Sequence, residues 1–375
     1  MIYLDNAATT KVNSDVLNTL YKLYDEYFMN ADSPYLPASN IHDLQEQARS
    51  NLAKLLKVNN DELIFTSCGS EANNMAIKGI AYKFLDKKNK HIITSMIEHS
   101  SVYETMKQLE EFGYSITYLK PNKFGKIENS DILNAIREDT ILISVMKINS
   151  ELGSINELES IYDEIKRINS DIIVHCDCVQ AFGKYDLNLN QFDLTSFSAH
   201  KINGVKGSGL LYKKRKVNLI PLLSGGQQEF NLRAGTSSYQ QNIVLAKTLR
   251  LYLEKREDIN LKERYEYIYN LLENDARINV NSSKENNSFF IINFSIPNYK
   301  PEVILNALEK DEIYISTKSA CSSNVKRSRV IDSLDILDEY KDSAFRISFD
   351  LDTTIGELDK FYQKLNDCLN MIMKG

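Results

Sequence analysis

A lysine at position 201 stands where the chain could hold a ligand covalently. Lys201 closes the segment SFSAHK, residues 196–201, in which a short apolar strand ends in a polar cluster. Glycines follow at positions 204, 207 and 209, and glycine lets a ligand approach the backbone closely. Most lysines in a chain with 45 lysines and arginines are solvated surface charges. A lysine in a cleft at a strand end can instead be desolvated, and its amine can then form a Schiff base.

A carboxylate at position 177 ends another apolar run. The segment IIVHCDCVQ, residues 172–180, is a predicted buried strand with Asp177 at its end. A buried carboxylate needs a cationic or hydrogen-bonding partner, and the protonated ring nitrogen of a ligand is one candidate. The neighbouring His175, Cys176 and Cys178 raise the alternative of a metal site. Because side chains alternate across a strand, His175 and Asp177 face one way and both cysteines the other, so we predict no metal here.

Further polar groups lie in two of the turns that follow predicted strands. In the segment FTSCGSEAN, residues 65–73, a strand leads through Gly69 into a helix that we expect to begin at Ser70. Free N–H groups and a hydroxyl at a helix N-terminus can bind an anion, although an ordinary helix cap explains the same pattern. His99 follows the strand predicted at 91–97. It could stack on a flat ligand or transfer protons, or it could be a satisfied core residue.

The segment SACSS, residues 319–323, places a thiol between small residues. Four basic residues lie close to Cys321 in the sequence: Lys318, Lys326, Arg327 and Arg329. Positive charge near a mobile thiol favours the thiolate, which is the nucleophilic form. The alternative is a buried structural cysteine, which the polar neighbours disfavour. Cys321 is therefore the predicted nucleophile among the five cysteines of the chain.

Strand-like and helical segments alternate between residues 60 and 215, and this alternation must position these groups. Apolar runs predict strands near residues 63–65, 91–94, 115–118, 141–145, 172–174, 196–198 and 209–212. Amphipathic segments between the earlier runs predict an α/β fold, with a mostly parallel seven-stranded sheet flanked by helices. In the last third, a charged helical stretch precedes short strands and a long final helix. This pattern predicts a smaller α+β domain, with a boundary near residue 246.

Composition and charge exclude several classes of protein. Of the 375 residues, 43% are hydrophobic and 26% are charged, with a formal net charge of -6 and a pI near 5.6. An acidic chain argues against direct nucleic-acid binding, and no apolar run is long enough to predict a membrane span. The first residues lack a signal-peptide pattern, and five cysteines without an export signal fit reduced thiols. We therefore expect a cytoplasmic protein.

Taken in order, these segments resemble one family. The chain resembles the pyridoxal-phosphate-dependent cysteine desulfurases of the NifS and IscS type, within the class-V aminotransferases. The segments that carry the resemblance are YLDNAATT at 3–10, FTSCGSEANN at 65–74, EH at 98–99, NSELG at 149–153, HCDCVQ at 175–180, SFSAHK at 196–201, GGQQE at 225–229, LRAGT at 232–236, SACSS at 319–323 and FRIS at 345–348. The resemblance implies a fold-type I transferase, with a large cofactor domain at 14–246 and a small domain formed by 1–13 and 247–375.

The resemblance also implies roles for residues at the matching positions. Lys201 would bind pyridoxal 5'-phosphate as a Schiff base, Asp177 would pair with the pyridine nitrogen, and His99 would stack on the ring and transfer protons. Gln180 would hydrogen-bond the phenolic oxygen of the cofactor. Ser150 stands at the position of a cofactor-contacting asparagine, and its shorter hydroxyl would either miss this oxygen or reach it through water. The phosphate-binding residues would be Gly69, Ser70, Ser198, His200 and, from a neighbouring subunit, Thr236. The implied assembly is a homodimer with shared sites.

The substrate implied by the resemblance is L-cysteine. Arg346 and Asn149 would bind it, Arg346 by clamping the carboxylate with its planar fork. The thiolate of Cys321 would take the sulfur as a persulfide and leave L-alanine. The persulfide would then supply an acceptor protein for iron–sulfur cluster assembly or for thiolation of a cofactor or tRNA. Two alternatives are a selenocysteine lyase or related β-elimination enzyme, and a pyridoxal-phosphate-binding partner protein with weak turnover.

Three positions depart from the family pattern. Ser150 replaces an asparagine that contacts the cofactor, and Leu36 replaces an asparagine that helps hold the substrate carboxylate. Lys318 replaces the glycine that usually precedes Ser-Ala-Cys. These changes surround the substrate and the segment of Cys321, whereas the residues expected to bind the cofactor ring are retained. The distribution fits a specialised or divergent desulfurase.

Overall fold

The computed structural model describes residues 1–317 and 327–372. Its strands are β1 (Ile2–Tyr3), β2 (Leu63–Thr66), β3 (His91–Ser95), β4 (Ser115–Leu119), β5 (Thr140–Ser144), β6 (Ile173–Asp177), β7 (Leu194–Ser198), β8 (Gly209–Lys213), β9 (Asn279–Val280), β10 (Ile291–Ser295), β11 (Ile313–Tyr314) and β12 (Ala344–Ser348). Its helices are α1 (Ser14–Glu26), α2 (Leu36–Leu56), α3 (Gly69–Ala81), α4 (Ser100–Glu111), α5 (Asn129–Asn134), α6 (Tyr162–Ile168), α7 (Gln228–Asn231), α8 (Tyr239–Glu257), α9 (Leu261–Glu273), α10 (Pro301–Lys310), α11 (Arg329–Asp332), α12 (Asp338–Asp342) and α13 (Ile355–Ile372). No helix in this part of the chain combines the length and the apolar character that a membrane crossing requires.

Seven strands form the main sheet, in the order β2-β8-β7-β6-β5-β3-β4. Neighbouring strands pair in parallel, except that β8 runs antiparallel to both β2 and β7. Each apolar run that predicted a strand overlaps an observed strand of this sheet. The predicted α/β fold with a mostly parallel seven-stranded sheet is thus confirmed.

Helices cover both faces of the main sheet, and its strands other than the edge strand β4 are therefore buried on both sides. Alternate side chains enter two hydrophobic clusters. Ile92 and Leu142 pack on one face, in the cluster that also takes residues of α3 and α4. Their neighbours Ile93 and Ile143 pack on the other face, in the larger cluster. Burial on both faces explains why the strands read as continuous apolar runs in the sequence.

The C-terminal third forms a second sheet, which is antiparallel and has the order β12-β10-β9. In this region α13 packs against α9 and α10. The short strand β1 pairs in parallel with β11, so the first residues of the chain join this smaller α+β region. Helix α8 runs through residue 246, the predicted boundary. The division into domains at 14–246 and at 1–13 with 247–375 stays a prediction.

The parallel strands of the main sheet bring distant residues to one edge. Strands β3, β5, β6 and β7 all end at this edge, and the turns that follow carry His99, Ser150 and Lys201, with Asp177 at the end of β6. In open α/β sheets, ligands bind at the carboxyl ends of the strands. The topology therefore fixes where a site can form.

Candidate active site

A cavity of about 290 Å³ lies at the carboxyl edge of the main sheet. The predicted site residues that line it are Gly69, Ser70, His99, Ser150, Asp177, Gln180, Ser198, His200, Lys201 and Arg346. Lining residues that were not predicted to act there include Ala7, Ala8, Cys68, Asn73, Ser101 and Met146. The structure thus brings together most of the residues chosen from the sequence.

Lys201 reaches across the cavity to the N-terminal segment. Its Nζ donates hydrogen bonds to the carbonyl oxygens of Ala7 at 2.5 Å and Ala8 at 2.7 Å. These contacts could not be expected from the residue pattern, because a backbone acceptor has no residue signature. The amine is therefore held in the cavity by a segment that lies far away in the sequence.

The turn that carries Lys201 is packed tightly on both sides. A Cβ added at Gly204 would lie 2.7 Å from the Ala199 carbonyl oxygen, so only glycine fits there. The Thr10 hydroxyl donates to the His200 carbonyl oxygen at 2.9 Å and accepts from the Asn203 backbone N–H at 2.8 Å. The N-terminal segment therefore fixes this turn as well as the lysine.

Asp177 lies buried in the cavity wall with both carboxylate oxygens hydrogen bonded. Oδ1 accepts from the Val179 backbone N–H at 2.9 Å, and Oδ2 accepts from Asn73 Nδ2 at 2.7 Å. Asn73 lies three residues after Ser70 in α3, so helical spacing places it on the same face and could have predicted it. These donors hold the carboxylate at the cavity wall, where its oxygens can also accept a hydrogen bond from a cationic group of a ligand.

His99 is the N-cap residue of α4. Its Nδ1 accepts from the Ser101 backbone N–H at 3.1 Å and lies 2.8 Å from Ser101 Oγ. Burial lowers the pKa of His99, Asp177 opposes this shift, and the charges of Lys201 and Arg329 add to it. The imidazole is therefore neutral near pH 7, and because Nδ1 accepts, Nε2 carries the proton.

The turn after β2 forms a cradle for an anion. Helix α3 begins at Gly69 rather than at Ser70, because Cys68 takes the N-cap position and its Sγ accepts from the Glu71 N–H at 3.4 Å. A Cβ at Gly69 would lie 2.7 Å from a Val179 methyl carbon. Opposite this turn, Ser198 Oγ is buried without a hydrogen-bond partner among the described residues. A helix N-terminus beside an unsatisfied hydroxyl fits an acceptor-rich group such as phosphate.

Arg346 lies on β12 of the second sheet, and its guanidinium forms part of the cavity wall. The side chain is 1% exposed. Nη2 pairs with Asp5 Oδ1 at 2.5 Å, and Nη1 donates to the Ser150 carbonyl oxygen at 2.9 Å. Nε is buried and has no partner in the described parts of the chain. The guanidinium is thus held in place with one of its three nitrogens, Nε, unused.

Some residues predicted for the site lie outside the cavity. The Asn149 amide is engaged within its own turn, where Oδ1 accepts from the backbone N–H groups of Glu151 and Leu152, both at 2.9 Å. Thr236 is exposed in the loop before α8. Leu36, which stands where the family has an asparagine, is the first residue of α2 and is 75% exposed.

The loop towards Thr236 starts at a buried ion pair. Arg49 donates to both carboxylate oxygens of Glu229 at 2.8 Å, and one of these oxygens also accepts a backbone N–H of β2 at 2.8 Å. Glu229, Phe230 and Asn231 have positive φ values of 45°, 57° and 63°. Non-glycine residues rarely adopt this left-handed conformation, and three in a row require strong tertiary contacts.

Cys321 lies outside the described residues. The residues that follow this segment are described, and two of them contact the cavity region. Arg329 donates to two carbonyl oxygens in the turn before His99, and Ser328 donates to the Glu151 carboxylate. One flank of the predicted nucleophile is therefore attached beside the site.

The segment around Asp177 shows the alternation that the sequence predicts. The sulfur atoms of Cys176 and Cys178 lie 3.5 Å apart and are buried. His175 lies between the hydroxyls of Ser144 at 2.8 Å and Ser196 at 3.1 Å. Over the residues that the structure describes, no three histidine, cysteine or acidic side chains are grouped to hold a metal ion. His175 is thus a satisfied core residue.

Comparison with known proteins settles the family. The profile described as "Aminotransferase class-V" matches residues 2–361. The chain belongs to the class-V aminotransferase family. A relative in this family, the "NifS/IcsS protein homolog" of Lactobacillus delbrueckii subsp. bulgaricus, is 38% identical over 368 residues, which cover 96% of this chain and 95% of the relative. A "Cysteine desulfurase IscS" of Dictyoglomus turgidum is 36% identical over 377 residues, which cover 97% of this chain and 95% of the relative.

Solved structures in the comparison agree with the class-V assignment. A "NIFS-LIKE PROTEIN" superposes with a TM-score of 0.91 at 31% identity and covers 99% of each chain. A structure described as "SspA in complex with cysteine" superposes with a TM-score of 0.82 at 30% identity, covering 93% of this chain and 99% of that one. The predicted family and fold are therefore confirmed.

Proposed function

We propose that this class-V family member is a pyridoxal-phosphate-dependent cysteine desulfurase, which converts L-cysteine to L-alanine and transfers the sulfur to Cys321. The observation that carries the proposal is the meeting of Lys201, Asp177 and Arg346 in one cavity. Similarity to relatives named cysteine desulfurase, and to a solved protein in complex with cysteine, supports it. The same names favour this activity over a selenocysteine lyase or a binding protein with weak turnover.

The cavity residues fit pyridoxal phosphate. Lys201 would hold it through the amine, and Asp177 would accept a hydrogen bond from the protonated ring nitrogen. The phosphate would lie against Gly69, Ser70, Ser198 and His200. The unsatisfied Ser198 hydroxyl and the lack of space for a Cβ at Gly69 support this placement. When bound, the cofactor withdraws electrons from the bonds at Cα of an amino acid.

Arg346 would bind the carboxylate of L-cysteine. Its Nε is buried and unsatisfied, and a guanidinium prefers a carboxylate over other acceptors. Its pairing with Asp5 and the Ser150 carbonyl oxygen holds the fork in a single orientation before substrate arrives. Asn149 would shape the turn that presents Ser150, in line with its own hydrogen bonds.

Lys201 and His99 would move the protons. The Lys201 amine would take the proton from the substrate Cα, since it is a base held at the cavity wall. His99 is neutral near pH 7 because burial lowers its pKa, so it can accept a proton and return it to carbon. The two groups would thus remove and restore protons within one cavity.

Cys321 would receive the sulfur. A lone pair of the Cys321 thiolate forms the new S–S bond while the Cβ–S bond of the substrate breaks, and a proton added at carbon completes L-alanine. The enzyme keeps a persulfide, which contains one sulfur atom more than the thiol. An acceptor protein that serves iron–sulfur cluster assembly, or thiolation of a cofactor or tRNA, would then take this sulfur.

The proposal includes a cytoplasmic homodimer, in which Thr236 of one subunit completes the phosphate site of the other. Thr236 is exposed and lies outside the cavity of its own chain, which supports this role. Exposed aromatic side chains on α1 and before α2 offer an apolar surface for a second copy: Tyr21, Tyr24, Phe28 and Tyr35. Aromatic residues are enriched in such interfaces.

The test is anaerobic incubation of the purified protein with L-cysteine. Alanine is measured, and persulfide is located on the intact chain by mass spectrometry. We expect alanine together with one added sulfur on Cys321, and loss of both in Cys321→Ala. Cys368→Ala is the matched control, because Cys368 is buried in α13 and should leave turnover unchanged. Sulfur on Cys68 instead, or full alanine production by Cys321→Ala, would contradict the proposal.

A further inference from the structure

The buried side-chain amide of Gln180 has one end fixed by the N-terminal segment. Its Nε2 donates to the Ala7 carbonyl oxygen at 2.9 Å, and the same oxygen accepts from Lys201 Nζ at 2.5 Å. A carbonyl oxygen only accepts hydrogen bonds, so Nε2 rather than Oε1 must face Ala7. Gln180 also lines the cavity, and among the described residues its Nε2 has no second acceptor, so one N–H is left for a ligand.

Lys184 holds the other end of the same amide. It lies four residues after Gln180, in the turn that follows β6, and its Nζ donates to Gln180 Oε1 at 3.4 Å. An ammonium group has donors and no acceptor, so it can face only the oxygen of the amide. The half-buried side chain also lies over the ring of Phe290, with Nζ 4.9 Å from the centroid.

We propose that Lys184 is a positioning residue, which sets the amide of Gln180 so that its free N–H faces an anionic oxygen on the ring of the bound cofactor. The inference rests on the proposed function, because it requires pyridoxal phosphate in this cavity. With an acceptor at Ala7 and a donor at Lys184, the amide has one favourable orientation. The ammonium behind the amide also polarises it, which strengthens the hydrogen bond to a negative oxygen.

The charges around Lys184 are consistent with this role. Burial lowers the pKa of Lys184 to about 8, and Asp350 is the carboxylate that opposes the shift. The ammonium form therefore predominates at pH 7. Burial likewise lowers the pKa of His200 to about 4, with Lys201, Lys206, Lys184 and His99 contributing, so His200 is neutral. Lys184 is thus the cation that contacts the oxygen of the Gln180 amide.

Two measurements test the proposal. Titration of the apo-protein with pyridoxal phosphate gives the Kd, and the absorption of the loaded protein as a function of pH gives the pH of its spectral transition. Lys184→Met should raise the Kd for pyridoxal phosphate about tenfold, the order expected for one hydrogen bond to a charged group. It should also raise the pH of the spectral transition, because a negative ring oxygen loses the N–H donor that Lys184 orients through Gln180. Lys184→Arg should retain both values, since it keeps a donor-only cation. In a Gln180→Ala background, Lys184→Met should change neither.

Lys213→Met is the matched control. Lys213 is a buried lysine on β8 that bonds the Val217 carbonyl oxygen at 2.9 Å, away from the cavity. A lower melting temperature for Lys184→Met with an unchanged Kd and spectral transition would show a merely structural role and overturn the proposal. An equal effect of Lys184→Met in the Gln180→Ala background would also overturn it. Failure of the parent protein to bind pyridoxal phosphate would overturn the proposed function as well, so the two failures are distinguishable.

Discussion

Lys201 Nζ lies 2.5 Å from the carbonyl oxygen of Ala7, so the N-terminal segment forms part of the candidate active site. The same segment pairs with the smaller region through β1 and β11. It also holds the turn of Lys201 through the Thr10 hydroxyl. One short stretch of chain therefore links the cavity to the smaller region, and changes in it should affect stability and ligand binding together.

Thr10→Val tests this link. The substitution keeps the shape of the side chain but removes one hydrogen bond to His200 and one from Asn203. We expect a loss of about 1–3 kcal/mol in the free energy of unfolding, because buried polar groups lose partners. The fraction of protein that retains pyridoxal phosphate should fall as well. Thr19→Val, in α1 away from the cavity, is the control, and equal loss of cofactor in both variants would contradict the argument.

Gly69→Ala should disrupt the anion cradle. The added Cβ would meet a Val179 methyl carbon at 2.7 Å, so the turn or that side chain must shift. We expect affinity for pyridoxal phosphate to fall about tenfold or more, the order of one lost hydrogen bond to the phosphate. Absorbance titration of the apo-protein measures this. At Gly356 an added Cβ would have its nearest neighbour at 4.0 Å, so Gly356→Ala should bind like the parent.

Arg346→Lys should separate substrate binding from cofactor binding. Lysine keeps the positive charge but not the planar fork, so the contacts to Asp5 and Ser150 and the unused Nε are lost. We expect KM for L-cysteine to rise roughly 10- to 100-fold, the range for one or two charge-assisted hydrogen bonds. Pyridoxal phosphate should remain bound, which its absorbance reports. An unchanged KM would show that Arg346 does not bind the substrate carboxylate.

Glu98→Gln should change how stability depends on pH. Burial raises the pKa of Glu98 from 4.5 to about 8, although Ser95 and the Met146 N–H bond the carboxylate. Between these values the folded chain keeps a proton that the unfolded chain has lost. The stabilisation that Glu98 contributes to the free energy of unfolding is therefore fully present below the unfolded-state pKa. It decreases by roughly 1.4 kcal/mol per pH unit as the pH rises towards the folded-state pKa. The neutral variant should lack this slope when urea unfolding is measured at about pH 5 and about pH 8. An equal slope in both proteins would show that Glu98 ionises normally.

Arg49→Met should destabilise the protein strongly. The substitution leaves the Glu229 carboxylate buried without its guanidinium partner. We expect a loss of about 3–5 kcal/mol in the free energy of unfolding, the cost of breaking a buried ion pair on one side. Arg250→Met removes an exposed pair with Glu254 and should cost less than about 1 kcal/mol. Similar losses in the two variants, measured by urea unfolding, would contradict this account.

Strand ends were the most predictable part of the site. Asp177, His99 and Lys201 could be chosen from the sequence because each follows an apolar run, and parallel strands end at one edge. Asn73 was missed, although its helical spacing from Ser70 placed it on the same face. The Ala7 carbonyl could not be chosen, since every residue has one.

Other contacts had no signal because they depend on tertiary packing. Lys184 resembles the many surface lysines of the chain until its position behind Gln180 is known. The left-handed backbone at Glu229 was equally hidden, because glutamate has no preference for that conformation and the buried Arg49 stabilises it. The sequence pattern therefore predicts which strand a residue follows, but it does not predict which distant group that residue contacts in the folded chain.

The left-handed run next to Arg49 fixes the start of the loop of Thr236 within the single subunit. In the proposed homodimer, this part of the loop would meet its partner already ordered. Segments that order before association lose little conformational entropy when two surfaces meet. Assembly of two copies would then resemble the docking of rigid bodies, with rates set by encounter and orientation rather than by a folding step.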